Sequence, residues 1–243
     1  MDAQKKSVRA KEQDPLKRQD PLKRQDPLKR QDPLKRQDPL KRQAWWEQVK
    51  ALDVKQVKAL DVKQMVFLDE CGVNTTMHRR FGRSPKGTRC QGVVPRNWKN
   101  STTILGALSL QGVQGVQGVQ GVQAVMSLEG ATDRLAFEAF IEQVLLPTLV
   151  PGQIVVMDNL SAHRSPEAQK MVEEAGCSWL FLPPYSPDFN PIEMLWSKFK
   201  SDLRREAPRT QEHLDLLLWP LLSTATASHA HNWFFHAGYH LMQ

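Results

Sequence analysis

The sequence predicts an α/β protein whose mixed sheet is flanked by helices. Two continuous apolar runs of strand length, 65–68 (Met65, Val66, Phe67, Leu68) and 154–157 (Ile154, Val155, Val156, Met157), read as central strands buried on both faces. Stretches with apolar residues at helical spacing, 133–149 and 192–203, alternate with them. An acid follows each run, Asp69 and Asp158, and a third, Glu193, stands at the start of the later helix.

Taken in order, the chain opens on repeats. Residues 14–43 are five copies of Asp-Pro-Leu-Lys-Arg-Gln, 49–64 two copies of Val-Lys-Ala-Leu-Asp-Val-Lys-Gln, and 111–122 four copies of Gln-Gly-Val. Three unrelated short periods do not describe a solenoid, whose units run ~20–50 residues. They fit tandem duplication of short coding segments. Proline in every hexad removes an amide donor. Six residues advance a helix by about 240°, so the single leucine of each copy would spiral around it. Residues 1–43 are therefore expected to form a disordered basic arm, with a helical connector over 44–64 that contains Trp45, Trp46, Val49 and Leu52.

The strand 65–68 comes next, then a basic, Gly- and Pro-containing loop or ragged hairpin from Arg79 to Lys99. Strands follow over 102–110 and 124–128, with the Gln-Gly-Val array as a hairpin tip, because a three-residue period cannot hold a two-residue alternation. The helix 133–149 and the strand 154–157 follow. Ser165 caps the next helix with Pro166 at its first position, and Gly176 closes it before a strand over 178–182. A Pro-rich turn, 183–191, leads into the Glu193 helix, with Asn190 as expected cap and Ile192, Leu195, Trp196, Phe199 and Leu203 as its apolar stripe. The tail, 206–243, shows one helix over 214–222 and an aromatic, His-containing end. This order gives an RNase H-like α/β core over 65–205.

Composition narrows the function classes. With 243 residues, 40% of them hydrophobic, there is room for one good core plus appendages. The net charge of +7 belongs to the first quarter of the chain: residues 1–64 hold eighteen Lys and Arg against ten Asp and Glu, and the remainder fifteen against sixteen. Charge alone is thus weak support for a nucleic-acid partner. Cys71, Cys90 and Cys177 are an odd, widely spaced set that fits reduced thiols in a cytoplasmic protein. No apolar run approaches the ~18–20 residues of a membrane span, and no apolar segment follows Lys5, Lys6 and Arg9 as a signal peptide requires.

Acids at the ends of two buried strands and at a helix start can converge on one point. Converging carboxylates repel unless a cation neutralises them, and hard oxygen ligands suit Mg²⁺ or Mn²⁺. Asp69, Asp158 and Glu193 are therefore the candidate catalytic and metal-binding residues of a phosphodiester site holding two ions. Each has a plainer use in isolation, Asp69 and Asp158 in turns and Glu193 in a capping box. Lys198, Lys200, Arg204 and Arg205 lie off the apolar stripe and, beside Glu193, are candidates for nucleic-acid phosphates, as is His163.

Three stretches together resemble bacterial insertion-sequence transposases of the mariner superfamily, within the larger DDE (Asp-Asp-Glu) group. They are Phe67-Leu68-Asp69-Glu70-Cys71-Gly72, Val156-Met157-Asp158-Asn159 with His163, and the run from Leu182-Pro183-Pro184-Tyr185-Ser186 to Asn190-Pro191-Ile192-Glu193 with Trp196. The thirty-four residues between Asp158 and Glu193 match that superfamily too. The resemblance implies metal binding by Asp69, Asp158 and Glu193, hydrolysis at transposon ends, and attack of the freed 3′-hydroxyl on target DNA. It also implies a homo-oligomer on DNA, acting at the bacterial nucleoid. Such proteins usually begin with a helix-turn-helix region, which is not seen before Asp69; a separate polypeptide could supply it. The alternatives are a non-catalytic remnant that still binds DNA and an RNase H-like nuclease unconnected with transposition.

Overall fold

The computed structural model describes residues 4–5, 7–10, 37–55, 62–94, 101–110, 122–158 and 165–239. The hexads before Gln37, the Gln-Gly-Val array up to Gly121 and His163 lie outside the described residues. In chain order the elements are β1 (Gln4–Lys5), β2 (Ser7–Ala10), α1 (Pro39–Lys55), β3 (Met65–Asn74), β4 (Phe81–Gly82), β5 (Gln91–Val94), β6 (Ser101–Ser109) and β7 (Val122–Glu129). They continue with α2 (Arg134–Phe140), β8 (Ile154–Met157), α3 (Pro166–Glu174), β9 (Ser178–Phe181), α4 (Ile192–Glu206), α5 (Gln211–Leu222) and α6 (Ala227–His236).

A five-stranded sheet in the order β7-β6-β3-β8-β9 forms the centre. Its β7, β6 and β3 run antiparallel, and β3, β8 and β9 run parallel. This is the expected mixed sheet with helices on both faces. Successive side chains of a strand point to opposite faces, so a run buried on both sides must be apolar throughout. Met65, Phe67, Ile154 and Val156 pack with α1, α4, α5 and α6 on one face. Val66, Leu68, Val155 and Met157 pack with α2, its continuation and α3 on the other.

The arm expected to be disordered instead supplies β1, antiparallel to β4, and β2, parallel to β5, because the basic loop after β3 offers them strand edges. Four further elements differ from the sequence expectation. β3 runs ten residues, to Asn74, so Asp69 sits inside a strand and not at its end. β6 supports β3 along its whole length, up to the Asn74–Ser101 pair, whereas β8 stops at the Leu68–Met157 pair. The apolar run is only the part of β3 with neighbours on both sides. The helix expected over 133–149 starts on the Asp133 cap but passes into a π turn at Ile141–Leu145 and a 3₁₀ turn at Leu146–Thr148, where Pro147 lacks an amide donor. The helix before β3 begins at Pro39, within the last hexad: Asp38 accepts from the amides of Leu40 and Lys41, which makes this one copy a helix start. The tail forms two helices, α5 and α6, and Leu214, Leu222, Ala230, Phe234 and Tyr239 are buried in the core. Phe67 meets Phe234 edge-on at 5.2 Å, so this segment belongs to the same core as the sheet.

The caps of α3 follow the expectation. Ser165 accepts from the amide of Ala168, Pro166 opens the helix, and Gly176 turns with φ +74°.

Candidate active site

β3 and β8 are parallel neighbours, and their last paired residues are Leu68 and Met157. Asp69 and Asp158 are the next residues on each strand, so the register itself places the first two acids side by side. β3 then continues along β6 while the chain leaves β8, which opens a notch at the sheet's middle. Asp69 falls on the same face as Met65 and Phe67, the face covered by α4. Glu193 is in the first turn of α4.

All three acids line one cleft of about 410 Å³, together with Asn190, Tyr185, Ser186 and the prolines of the turn before α4. Asp69 and Asp158 are half-buried, and Glu193 is exposed at the mouth. Burial, then Glu193 and Asp158, push the Asp69 carboxyl up to about 7, against hydrogen bonds from the Glu70 amide and the Trp196 indole. Loss of hydration at the cleft also raises Glu193; Lys200 opposes this shift and Asp158 adds to it. Among the described residues the three carboxylates do not close by themselves into a ready-made metal cluster. The donor set nevertheless fits a hard divalent cation. All donors are carboxylate oxygens, and the charge that burial and mutual repulsion disfavour here is the charge a cation would stabilise.

Glu193 is not a cap. The residue preceding α4 is Pro191, no side chain caps the helix, and the Glu193 amide bonds the carbonyl of Asn190. Asn190 therefore contributes its backbone, not the expected side-chain cap. Its Oδ1 is buried without a hydrogen-bond partner among the described residues.

The basic residues of α4 separate into two groups. Lys198 bonds Asp202 at 2.7 Å, and Arg205 lies 3.2 Å from the same carboxylate and also meets Glu206. Lys198 also donates to the Thr224 hydroxyl, so both cations are engaged with neighbours other than the three acids. Lys200 lies two turns beyond Glu193 on the same face, close enough to influence its charge and that of the buried Cys71 thiol. Burial pushes that thiol up to about 12, with Lys200 acting against the shift. Burial and then the neighbouring Arg80 pull the Arg204 guanidinium below its ordinary value. His163 lies outside the described residues.

Three residues at the site were not legible as functional. Trp196 reads as core, and it is 2% exposed, but its indole N–H also donates to Asp69 Oδ2 at 3.1 Å. The rule that a buried indole N–H needs a partner was the available signal. Tyr185 adopts φ +58°, a conformation rare for an aromatic residue, and is 54% exposed at the cleft. Nothing in the sequence marks that torsion. Arg42, which donates to Ser186 and Asp188 of the turn beside the cleft, looks redundant among five identical copies, and only the following Ala44-Trp45-Trp46 sets its copy apart.

Comparison with known proteins bears on this arrangement. The family model for the DDE superfamily endonuclease matches residues 64–215, a span holding all three acids. A model for the Trappin protein transglutaminase binding domain matches residues 15–44, which is the hexad array and too little of the chain to assign a family. No curated protein matches the chain. Among solved structures, a pre-cleavage Mos1 transpososome superposes with a TM-score of 0.62 at 12% identity, covering 80% of this chain and 58% of that one. A Mos1 transposase paired-end complex with left transposon end gives 0.62 at 14% identity, covering 80% and 57%. The catalytic domain of Mos1 mariner transposase gives 0.53 at 14% identity, covering 82% of this chain and 88% of that domain. The chain thus spans less than two thirds of the transposase chains in those complexes, and at such identities the likeness is one of fold. Family membership rests on the match across more than half of the sequence: this chain belongs to the DDE superfamily of endonucleases.

Proposed function

We propose that the chain is the catalytic portion of a DNA transposase, cutting phosphodiester bonds at the ends of a bacterial insertion element and joining them to target DNA. The observation that carries this reading is the convergence of Asp69, Asp158 and Glu193, from three separate elements, on one cleft within a DDE endonuclease domain. Mos1 complexes with Mg and with Mn are consistent with the same choice of cations here. Two such ions, held by the three carboxylates, would activate the attacking oxygen and stabilise the departing one.

The chain's own residues hold and orient. Asp69 and Asp158 are fixed by strand register, and Trp196 orients the Asp69 carboxylate. Glu193 stands on a helix end and can approach from the opposite wall. In the first reaction water attacks the phosphorus and the 3′-oxygen leaves; in the second the freed 3′-hydroxyl attacks a target phosphorus and the target strand's own 3′-oxygen leaves with a proton.

DNA would run from the cleft along Lys200 toward Arg204 and Arg80. The Arg204 guanidinium, depressed by burial and by the neighbouring Arg80, favours a polyanion beside it. Lys198 and Arg205, engaged with Asp202, are weaker candidates for phosphates. The mariner-like motifs support action on terminal repeats as a homo-oligomer in the bacterial cytoplasm, with end recognition by a helix-turn-helix region on this or another polypeptide. No helix among the described residues is long and apolar enough to cross a membrane.

The test is Mn²⁺-dependent nicking of a supercoiled plasmid at low salt, where non-specific binding is strongest. Wild type should nick and Asp158→Asn should not. Equal nicking by both would refute the shared carboxylate site, and absence of nicking by wild type would favour a non-catalytic DNA-binding remnant.

A further inference from the structure

Arg42 joins the N-terminal helix to the turn that borders the cleft. Its Nη1 donates to Ser186 Oγ at 2.9 Å and to Asp188 Oδ1 at 3.0 Å, and its Nη2 to Asp188 Oδ2 at 2.6 Å. The guanidinium carbon sits 3.8 Å from the centre of the Phe189 ring. The Arg42 side chain is 19% exposed, and its hydrogen bonds are the largest influence holding the Asp188 carboxyl below its usual range. Trp45 stacks on Phe189 at 5.5 Å, Trp46 meets it edge-on at 5.2 Å, and the Tyr239 hydroxyl donates to the Phe189 carbonyl at 2.8 Å.

The gripped segment is part of the site. Ser186 and Pro187 line the cleft, Pro187–Phe189 is a 3₁₀ turn, and the chain then passes through Asn190 and Pro191 into the helix carrying Glu193. That helix has no side-chain cap to fix its start. A bidentate fork on Asp188, a hydroxyl contact and a stacked cation fix direction as well as distance, as a flexible lysine could not.

We infer that Arg42 is a positioning residue for the acidic cleft, through which the segment before the sheet domain sets where Glu193 stands. Four upstream hexads carry the same arginine, at Arg18, Arg24, Arg30 and Arg36, but none is followed by the two tryptophans that dock beside it. The last copy is thus a working part of the site. This rests on the reading of Glu193 as a metal-binding carboxylate.

The test measures stabilisation of the full chain by Mn²⁺, as melting temperature against metal concentration, beside circular dichroism of the metal-free protein. Arg42→Ala should keep the fold and raise the half-saturating Mn²⁺ concentration about tenfold, the lower range for residues that support metal ligands. Asp188→Ala should do the same, and the double variant should be no worse than either single one. Arg42→Lys, which keeps the charge but not the fork, should fall between wild type and Arg42→Ala and covers the case in which alanine does not fold. A lowered metal-free melting temperature with unchanged Mn²⁺ half-saturation, in Arg42→Ala or Arg42→Lys, would reduce the contact to a structural ion pair and overturn the inference. A wild type that Mn²⁺ does not stabilise would instead overturn the metal-site reading beneath it.

Discussion

The indole N–H of Trp196 donates to Asp69 Oδ2 at 3.1 Å across 127 positions of sequence, joining α4 to the middle of β3. This contact needs Gly106, which pairs with Asp69 in the β3–β6 register. A Cβ built on Gly106 would lie 2.6 Å from Trp196 Cη2 and 2.9 Å from Cζ2. The missing side chain is what lets the indole lie flat enough on the sheet to reach the acid.

Gly106→Ala should therefore destabilise the protein by about 1–3 kcal/mol, the usual range for overpacking a filled core. The ring must move, and with it the Asp69 hydrogen bond. In a double variant with Trp196→Phe, whose smaller ring leaves space, the cost of the alanine should largely disappear. Chemical denaturation of the four proteins checks it, and simple additivity would show that the two positions do not compete for space.

Trp196→Phe alone removes a donor that favours the charged form of Asp69. The Asp69 carboxyl should rise further, and Mn²⁺ should bind more weakly at neutral pH than in wild type. The deficit should shrink at about pH 8 to 9, where the carboxyl ionises regardless. Titrations of Mn²⁺ at several pH values read this out; a deficit independent of pH would mean that Trp196 acts only by packing.

Stability of the metal-free protein should depend on pH in the opposite sense to ordinary acid denaturation. Asp69 is raised to about 7 in the folded chain. When unfolded it titrates at about 4. Between these values the folded chain retains a proton that the unfolded chain has released. Its stability contribution is full below about pH 4, falls as pH rises, and is gone above about pH 7. Glu193 is shifted in the same direction and adds to the slope. Asp69→Asn should flatten that loss and melt higher than wild type at about pH 8 in a chelating buffer. A melting temperature for Asp69→Asn below wild type at that pH would contradict the assignment.

Glu193→Gln should cost little stability, because the carboxylate makes no capping bond and no side chain caps α4. Loss of one charge near a helix N-terminus is worth about 0.3–1 kcal/mol. The same substitution should abolish nearly all Mn²⁺-dependent plasmid nicking, since it removes a formal negative charge and a strong cation ligand. Retained nicking would remove Glu193 from the site.

The hexads give a deletion series with two different expected outcomes. Removing residues 14–37 keeps the last copy, including Asp38 and Arg42, and should leave the melting temperature of the chain unchanged. Removing 14–43 takes the helix start and the Arg42 contacts with it, and should lower the melting temperature measurably. If both deletions behave alike, the last copy is no different from the others.

Much of this protein is determined within short windows of its sequence. The apolar runs at 65–68 and 154–157 mark the strands with a neighbour on each side, because only side chains buried on both faces of a sheet must all be apolar. Ser165 with Pro166, and the stripe from Ile192 to Leu203, specify α3 and α4 through capping and helical periodicity, which are local properties. The three acids were legible as a set from their positions after those runs and at that helix. What the tertiary structure decided lies in contacts between distant parts of the chain. Whether Asp69 ends a strand or continues one depends on β6, and Lys198 is engaged by Asp202 while Lys200 influences Glu193. The tail joins the core because Phe234 and Tyr239 meet Phe67, and the arginine of the last hexad gains a partner because Asp188 waits 146 positions away. Local patterns fix the element type, since φ, ψ and periodicity are set by neighbours in sequence. The partners of a polar side chain are set by which surfaces folding brings together.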